Sequence, residues 1–133
     1  MSDVMMALGE YRFSIDTAAL QTLSETHSWR WADHNVAGQK PKSEFIGADL
    51  STINLQGTIY PHYRGGLGQT DAMKAEGDKG EPLRMVDGLG RDWGNWTIRE
   101  LQVDRSKLWR QGIALKMDFT IELKEHANEE SAP

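Results

Sequence analysis

The alternation of apolar and polar side chains from Ile113 to Leu123 restricts the fold of this chain more than any other feature. Large apolar side chains occupy every second position: Ile113, Leu115, Met117, Phe119, Ile121 and Leu123. A period of two residues cannot place them on one face of a helix, but it places all of them on one face of a β-strand. The positions between them are mainly polar: Ala114, Lys116, Asp118, Thr120, Glu122 and Lys124. We therefore predict a long strand with one face in the core and the other towards water or a polar partner.

Shorter alternating segments, separated by turns rich in Gly, Pro and Asp, predict further strands. These segments are an N-terminal hairpin turned at Gly9, the strand with Trp29 and Trp31, the short pair Phe45-Ile46, the run from Ile53 to Ile59, the pair Leu83 and Met85, and the run from Trp96 to Val103. The alternation slips between Ile98 and Leu101, which predicts a β-bulge or a strand buried on both faces. Gly57 within its run predicts a bulge or a close backbone approach.

Two segments favour helical structure instead. Asp16 is placed to cap a short helical turn whose face carries Ala19, Leu20 and Leu23. Thr70 is a candidate N-cap for a short helix that ends near Gly77. The whole pattern predicts a mainly β fold, an antiparallel sandwich or rolled barrel with one short helix.

Length and composition limit the alternatives. At 133 residues the chain is predicted to be one domain over residues 1–124, followed by a polar, disordered tail over residues 125–133. It has no cysteine, which excludes disulfides and thiolate metal sites. No apolar run is long enough to span a bilayer and no signal-peptide pattern is present, so we expect no membrane partner. The net charge of −5 opposes sequence-independent binding to DNA.

No motif for catalysis or cofactor binding emerges from the residues. Gly65-Gly66-Leu67-Gly68 precedes a predicted helix but lacks the Lys-Ser/Thr of a phosphate-binding loop. The four histidines are not spaced for a helical metal site, and no serine lies in a nucleophile elbow. We predict that the protein is not an enzyme and has no catalytic residue, metal or cofactor.

The aromatic side chains leave two interpretations open. Trp29, Trp31, Trp93, Trp96 and Tyr63 on a small β-barrel would be able to stack the bases of single-stranded nucleic acid. The other interpretation places the tryptophans in the core or at a subunit interface, which the absence of a basic groove favours.

Read end to end, the chain resembles the GpU-type tail proteins of contractile-tailed temperate phages and R-type pyocins. The matching segments are Met6-Ala7-Leu8-Gly9, Phe13-Ser14-Ile15-Asp16-Thr17, Trp29-Arg30, Pro41, Phe45-Ile46-Gly47, Ile53-Asn54-Leu55-Gln56-Gly57, Gly65-Gly66, Pro82-Leu83, Gly88-Leu89-Gly90, Gly94-Asn95-Trp96-Thr97-Ile98, Arg105-Ser106 and Lys116-Met117-Asp118-Phe119-Thr120-Ile121. Each segment alone is weak, whereas their order and spacing together are specific.

The resemblance implies a structural component of a virion or tailocin tail, assembled in the bacterial host cytoplasm. It implies a rolled β-sandwich of the tail-tube superfamily that forms a homo-hexameric ring between the inner tail tube and the baseplate hub. Its expected partners are the tail tube protein and the baseplate hub protein, with the tape measure protein and the sheath as further candidates. No sequence-specific nucleic acid is expected, although DNA would pass through the lumen. The alternative place for such a ring is the head end of the tail, as a tail terminator.

The ring assigns expected roles to two sets of residues. The side chains predicted to face the lumen or a neighbouring subunit are Lys116, Asp118, Thr120, Glu122, Thr52 and Asn54. Those predicted for the core or the subunit interface are Trp29, Trp96, Ile98, Met117, Phe119 and Ile121.

Overall fold

The computed structural model describes residues 4–14, 18–60, 68–108 and 114–127, which form nine strands and one helix. The elements are β1 (Val4–Leu8), β2 (Tyr11–Ser14), β3 (Ala19–Thr26), β4 (Trp29–His34), β5 (Lys42–Ala48), β6 (Thr52–Ile59), α1 (Gln69–Asp78), β7 (Leu83–Asp87), β8 (Asp92–Leu108) and β9 (Ala114–Glu125). Seven strands form one antiparallel sheet in the order β2-β1-β7-β8-β9-β6-β3, and β4 and β5 pair in a sheet of their own. The predicted mainly β fold with one short helix is confirmed.

The seven-stranded sheet is rolled, because side chains from distant strands in its order meet in one core. Phe13 lies on the edge strand β2 and Phe119 on β9, and their rings stack with centroids 6.0 Å apart at an interplanar angle of 17°. Both side chains are at most 1% exposed. A flat sheet would hold them several strand spacings of about 4.8 Å apart. The roll therefore lets one sheet act as both layers of a sandwich.

The long predicted strand is an interior strand of this sheet. β9 pairs with β6 on one side and with β8 on the other, and Met117, Phe119 and Ile121 on its apolar face are buried. It ends at Glu125, two residues beyond the prediction. Ile113 lies outside the described residues.

Two local predictions concerning strand backbones are confirmed. A Cβ added at Gly57 would lie 2.6 Å from Cζ of Phe119 and in contact with the carbonyl oxygen of Ala19, so only glycine leaves room for the neighbouring ring and backbone. In β8 the pairing with β9 shifts between Ile98 and Glu100, which is the predicted bulge. The strand itself is longer than predicted and continues to Leu108.

The predicted helical turn through Ala19, Leu20 and Leu23 is wrong. These residues belong to β3, which pairs with β6 from Ala19 opposite Thr58 to Thr26 opposite Thr52. Three apolar residues at short spacing fit one face of a helical turn, and in this segment the pairing with β6 overrides that weak local preference. Asp16 lies outside the described residues.

The helix exists and ends at Asp78, next to the predicted Gly77, but its predicted N-cap is wrong. Its N-cap is Gly68, and Thr70 lies inside the first turn on the buried face that also carries Met73 and Glu76. The three buried residues are three positions apart, so they share one side of the helix. The left-handed glycine that ends the helix is Gly80, with φ of 64° and an N–H that donates to the carbonyl of Gly77. The ten-residue α1 is too short to cross a bilayer, and none of the described helical structure meets that requirement.

The start of the predicted tail is ordered. Glu125 belongs to β9, and the backbone N–H of His126 donates to the carbonyl of Asn95 at 3.0 Å. Residues 128–133 lie outside the described residues, so their disorder stays a prediction.

Candidate functional site

Four neighbouring strands expose one continuous polar surface on the side of the sheet opposite the core. Residues directly opposite each other in paired strands point to the same face. The register between β6 and β9 places Asn54 opposite Glu122 and Thr58 opposite Asp118, and β3 and β8 continue these rows. We define the polar face as Thr22, Ser24, Thr26, Thr52, Asn54, Gln56, Thr58, Glu100, Gln102, Asp104, Ser106, Lys116, Asp118, Thr120, Glu122 and Lys124.

All six residues predicted for the lumen or a subunit contact lie on this polar face. Thr52 and Asn54 come from β6, and the other four come from the adjacent β9. The sequence separates these strands by more than fifty residues, and the structure brings them side by side. All six side chains are half-buried.

Carboxylates outnumber cations on the polar face. Glu100 lies opposite Glu122, and Asp104 lies opposite Asp118, so two like-charged pairs meet across the β8–β9 boundary. Like charges directly opposite each other destabilise a sheet by a few tenths of a kcal/mol up to about 1 kcal/mol. Thr58 Oγ1 donates to Asp118 Oδ1 at 2.7 Å, and Lys116 Nζ lies 3.9 Å from Asp118 Oδ2. The face is therefore hydrophilic and acidic, a poor surface for adsorbing a polyanion.

The residues predicted for the core or the interface separate into two groups. Met117, Phe119, Ile121 and Trp96 are at most 5% exposed, and Ile98 packs against the same core, so the core accounts for all five. Trp29 is different: its side chain is 57% exposed on β4.

The β4–β5 hairpin carries an exposed cluster of aromatic and aliphatic side chains. We call Trp29, Trp31, Phe45 and Ile46 the aromatic cluster; their exposed fractions are 51–60%. Trp31 lies opposite Phe45, and the two rings make an edge-to-face contact with centroids 5.1 Å apart. Among the described residues, β4 and β5 form strand pairs only with each other. The hairpin therefore presents an apolar surface that the seven-stranded sheet does not bury.

The arrangement of the aromatic side chains disfavours a single base-stacking platform. Trp96 is buried and its Nε1–H donates to the carbonyl of Trp93, whereas Trp29 and Trp31 lie on the separate hairpin. Arg91 lies over the ring of Trp93 at 4.8 Å and occupies one of its faces. Tyr63 lies outside the described residues.

A shallow groove between α1 and β8 was not predicted. Two adjoining hollows of about 250 and 210 Å³ share Gly77, Ile98 and Arg99, and Met73 and Leu101 line the second. The sequence feature that could have indicated the groove is Gly77. A glycine within a helix lowers the stability of the helix by about 0.5–1 kcal/mol. Here the missing side chain leaves the groove open.

An ion-pair cluster fixes α1 on the sheet beside this groove. Glu76 is buried, and Lys79 Nζ donates to Glu76 Oε2 at 3.0 Å and to Glu10 Oε1 at 3.2 Å. The hydrogen bonds to Glu76 and then to Glu10 raise the pKa of Lys79 above its ordinary value. Tyr11 Oη also donates to Gln69 Oε1 at 2.8 Å, which ties β2 to the start of the helix.

The turn between β7 and β8 depends on one carboxylate. Asp87 Oδ1 accepts hydrogen bonds from the backbone N–H groups of Arg91 and Leu89, each at 2.9 Å, and Oδ2 accepts from Trp93 Nε1. The hydrogen bond from Arg91 is the main reason why the pKa of Asp87 lies below its ordinary value, with Trp93 and Leu89 adding to the effect. This carboxylate is engaged in turn formation.

The described residues contain no group of three or more His, Cys, Asp or Glu side chains arranged to hold a metal ion. Gly65, Gly66 and Leu67 lie outside the described residues, so the predicted loop before α1 stays a prediction. Within the described residues, the polar face, the aromatic cluster and the α1–β8 groove suit association with other macromolecules.

Comparison with known proteins supports this interpretation. The sequence model of the family described as Phage P2 GpU matches residues 9–128, which is nearly the whole chain. A protein of Halomonas phage phiHAP-1, named as a probable tape measure protein, is 28% identical over 126 residues. That match covers 93% of this chain and 14% of the phage protein, so this chain spans about one seventh of the relative's length.

A solved structure shares the fold. A chain from the tail of an empty GTA particle, determined with C6 symmetry, matches with a TM-score of 0.54 at 10% sequence identity. The match covers 95% of this chain and 92% of that chain, so it extends over the whole fold.

Proposed function

Because the chain belongs to the Phage P2 GpU family, we propose that six copies form a ring that joins the inner tail tube to the baseplate hub and starts or anchors the tube. The protein is a phage tail component located in the virion tail. In the proposed ring it acts structurally and catalyses no reaction. Family membership over residues 9–128 is the observation that carries this proposal.

The composition of the polar face supports its assignment to the lumen of the proposed ring. In this proposal β6 and β9 turn the polar face towards the bore, and adjacent subunits continue the sheet so that open strand edges are paired. The face combines hydroxyl and amide side chains with the acidic pairs Glu100–Glu122 and Asp104–Asp118. DNA that moves through such a bore meets like charge, which opposes adsorption to the wall.

The likeness in fold and the phage relative support the choice of proposed partners. The tail that shares this fold has C6 symmetry, and a ring of identical chains needs a heterologous contact that closes after a fixed rotation. In the Halomonas phage relative, a matching domain is part of a longer chain named for the tape measure role. We therefore include the tape measure protein with the tube and hub proteins among the proposed partners.

Electron microscopy of a labelled chain in intact tails tests the position. Gold or a small fused domain at the C-terminus should appear only at the baseplate end of the tail. A label at the neck would replace the junction role with that of a tail terminator. Labels along the whole tube would contradict both positions.

The mass of the purified protein tests the ring. A hexamer has six times the 15.0-kDa mass of the chain, and light scattering after size exclusion measures it directly. A fluorescence titration with single-stranded DNA provides the contrasting result. Salt-dependent quenching of tryptophan would favour a nucleic-acid-binding module instead.

A further inference from the structure

The aromatic cluster requires a partner outside its own hairpin. An isolated two-stranded hairpin is at best marginally stable in water, and here it exposes Trp29, Trp31, Phe45 and Ile46 by half or more. An aromatic side chain buries about 150–250 Å² when it is covered. Large exposed apolar patches mark interaction sites, and here the Trp31–Phe45 pair forms the core of such a patch.

The charged residues at the base and the tip of the hairpin indicate the chemistry of the partner. Arg30 Nε lies 3.0 Å from Asp49 Oδ1 at the base of the hairpin, and Lys40 and Lys42 lie at its tip. Residues 29–48 contain three basic and two acidic side chains, in a chain whose net charge is −5. Asp49 neutralises Arg30, whereas residues 35–42 at the tip contain two basic side chains and no acidic one. The hairpin therefore combines an exposed aromatic cluster with a basic tip, and a partner with an apolar floor and an acidic rim would complement both.

The α1–β8 groove has these two properties. Its floor consists of Ile98 and Leu101, which are only partly buried by the core, and of the bare backbone at Gly77. Lys79 neutralises Glu76, and the other carboxylates around the groove, Asp78, Glu81 and Glu100, outnumber the cations Lys74 and Arg99. Hollows of about 250 and 210 Å³ lie below the usual range of about 300–1,000 Å³ for small-molecule sites, so they suit inserted side chains better than a separate ligand.

We infer that the β4–β5 hairpin of one copy inserts its aromatic cluster into the α1–β8 groove of the next copy around the ring. This inference rests on the ring proposed above and names the contact that builds it. A heterologous ring needs two different, mutually complementary surfaces on every subunit, and the hairpin and the groove form such a pair. Trp31, which contacts Phe45 at the middle of the cluster, is the anchor.

Cysteine cross-linking in assembled tails is the first test. The chain contains no cysteine, so Ala48→Cys on the hairpin and Glu81→Cys at the groove introduce the only thiols of this protein. Ala48 lies opposite Trp29 and shares its face of the hairpin. A short bis-maleimide applied to tails with the double variant should give a ladder in steps of the 15.0-kDa chain. Each single-cysteine variant has one thiol per chain and is the matched control, which should give no cross-linked dimer.

The outcomes separate this contact from the ring itself. Tails that show a ring of this chain in micrographs but give no ladder overturn the hairpin–groove contact and leave the proposed function intact. Tails without such a ring overturn the proposed function. A cross-linked dimer with Ala48→Cys alone would indicate contact between two hairpins and would equally overturn the inference.

A groove-filling variant provides the second test without weakening the fold. Gly77→Gln places a side chain into the groove while improving helix propensity, because a Cβ at this position meets only Ile98 at 3.6 Å. We expect Gly77→Gln and Trp31→Ala each to weaken association of copies by about 30-fold or more, the effect of losing an interface hot spot. Ala75→Gln, on the exposed side of the same helix, is the control and should assemble normally.

Mixing the two defective variants makes the inference specific. Trp31→Ala keeps an intact groove and Gly77→Gln keeps an intact hairpin, so a mixture should form pairs of chains and nothing larger. Light scattering distinguishes a pair from six copies by mass. Normal assembly of Gly77→Gln alone, or no pairing in the mixture, overturns the inference.

Discussion

The seven-stranded sheet and the β4–β5 hairpin are built on the same alternating pattern but satisfy it in different ways. In the sheet, Met117, Phe119 and Ile121 are at most 1% exposed, because the roll brings other strands over them. In the hairpin, Trp29 and Trp31 are 57% and 60% exposed. Alternation thus identifies a strand with an apolar face in both regions. It does not indicate whether the residues that bury that face belong to the same chain or to another molecule.

The largest expected difference between the two regions is the cost of removing an aromatic ring. Phe119→Ala should lower the free energy of unfolding by about 3–5 kcal/mol, since it leaves a cavity in the core. Phe45→Ala loses only the contact with Trp31 and should cost at most about 1.5 kcal/mol. Urea unfolding of the purified monomer measures both values. Equal losses would show that the hairpin is buried within the monomer and would remove the contrast.

Glycine substitutions sharpen the same contrast at smaller scale. Gly57→Ala should destabilise the protein by about 1–3 kcal/mol, because its Cβ has no room beside Phe119 and the backbone of Ala19. Gly77→Ala should instead stabilise it by about 0.5–1 kcal/mol through helix propensity. Thermal unfolding of the two variants gives opposite shifts in melting temperature. A gain from Gly57→Ala would contradict the close packing of β6 against the roll.

Removing one carboxylate from each region should have a smaller effect on stability, and only the change on the polar face should be stabilising. Glu100→Gln removes the repulsion with Glu122 on the polar face and should raise monomer stability by about 0.2–1 kcal/mol. On the hairpin, Glu44 accepts from His34 at 2.8 Å, so Glu44→Gln should bring no gain. The benefit of Glu100→Gln should shrink as salt is added. A benefit that is independent of salt would point to another cause.

The smallest expected effect concerns pH and the turn at Asp87. Its pKa is lower in the folded state than the ordinary value of 3.8, so its contribution to stability is complete above that value and is lost as the pH falls through the folded pKa. Asp87→Asn should therefore lower the melting temperature near neutral pH, and the difference from the wild type should narrow at low pH. A difference that stays constant down to strongly acid pH would show that the charge of Asp87 contributes nothing.

The sequence alone was sufficient to predict those elements that are determined by residues close to them in the chain. The period-two run ending at Leu123, the Gly9 turn, the bulge after Ile98 and the close approach at Gly57 were predictable because each leaves a local trace. β3 was mispredicted because its pairing with β6 is a non-local contact that a spacing of three apolar residues does not reveal. The N-cap was mispredicted because the buried face of α1 depends on the sheet beneath it.

The candidate site was predictable strand by strand but not as a surface. Each of the six predicted polar residues lies on the side of the sheet opposite the core, and their role at a lumen stays a prediction. The order in which β8, β9, β6 and β3 pair cannot be read from the alternation within each strand. The acidic pairs and the α1–β8 groove exist only once that order is set. Trp29 was assigned to a core or an interface because its residue type is common to both, and only its exposure in the structure separates them.

The length of β8 has a mechanical consequence for any assembly of this protein. Its seventeen residues extend for roughly 55 Å at about 3.3 Å per residue, and along this length it pairs first with β7 and then with β9. Ile98 and Leu101 line the groove, while Gln102 and Asp104 belong to the polar face, so one strand serves both surfaces. A force applied along β8 at the groove would act parallel to the strands and on many of these backbone hydrogen bonds at the same time. The bulge between Ile98 and Glu100 bends the strand beside the groove, so a force on the outside of a subunit would act on this bulge before it reached the polar face.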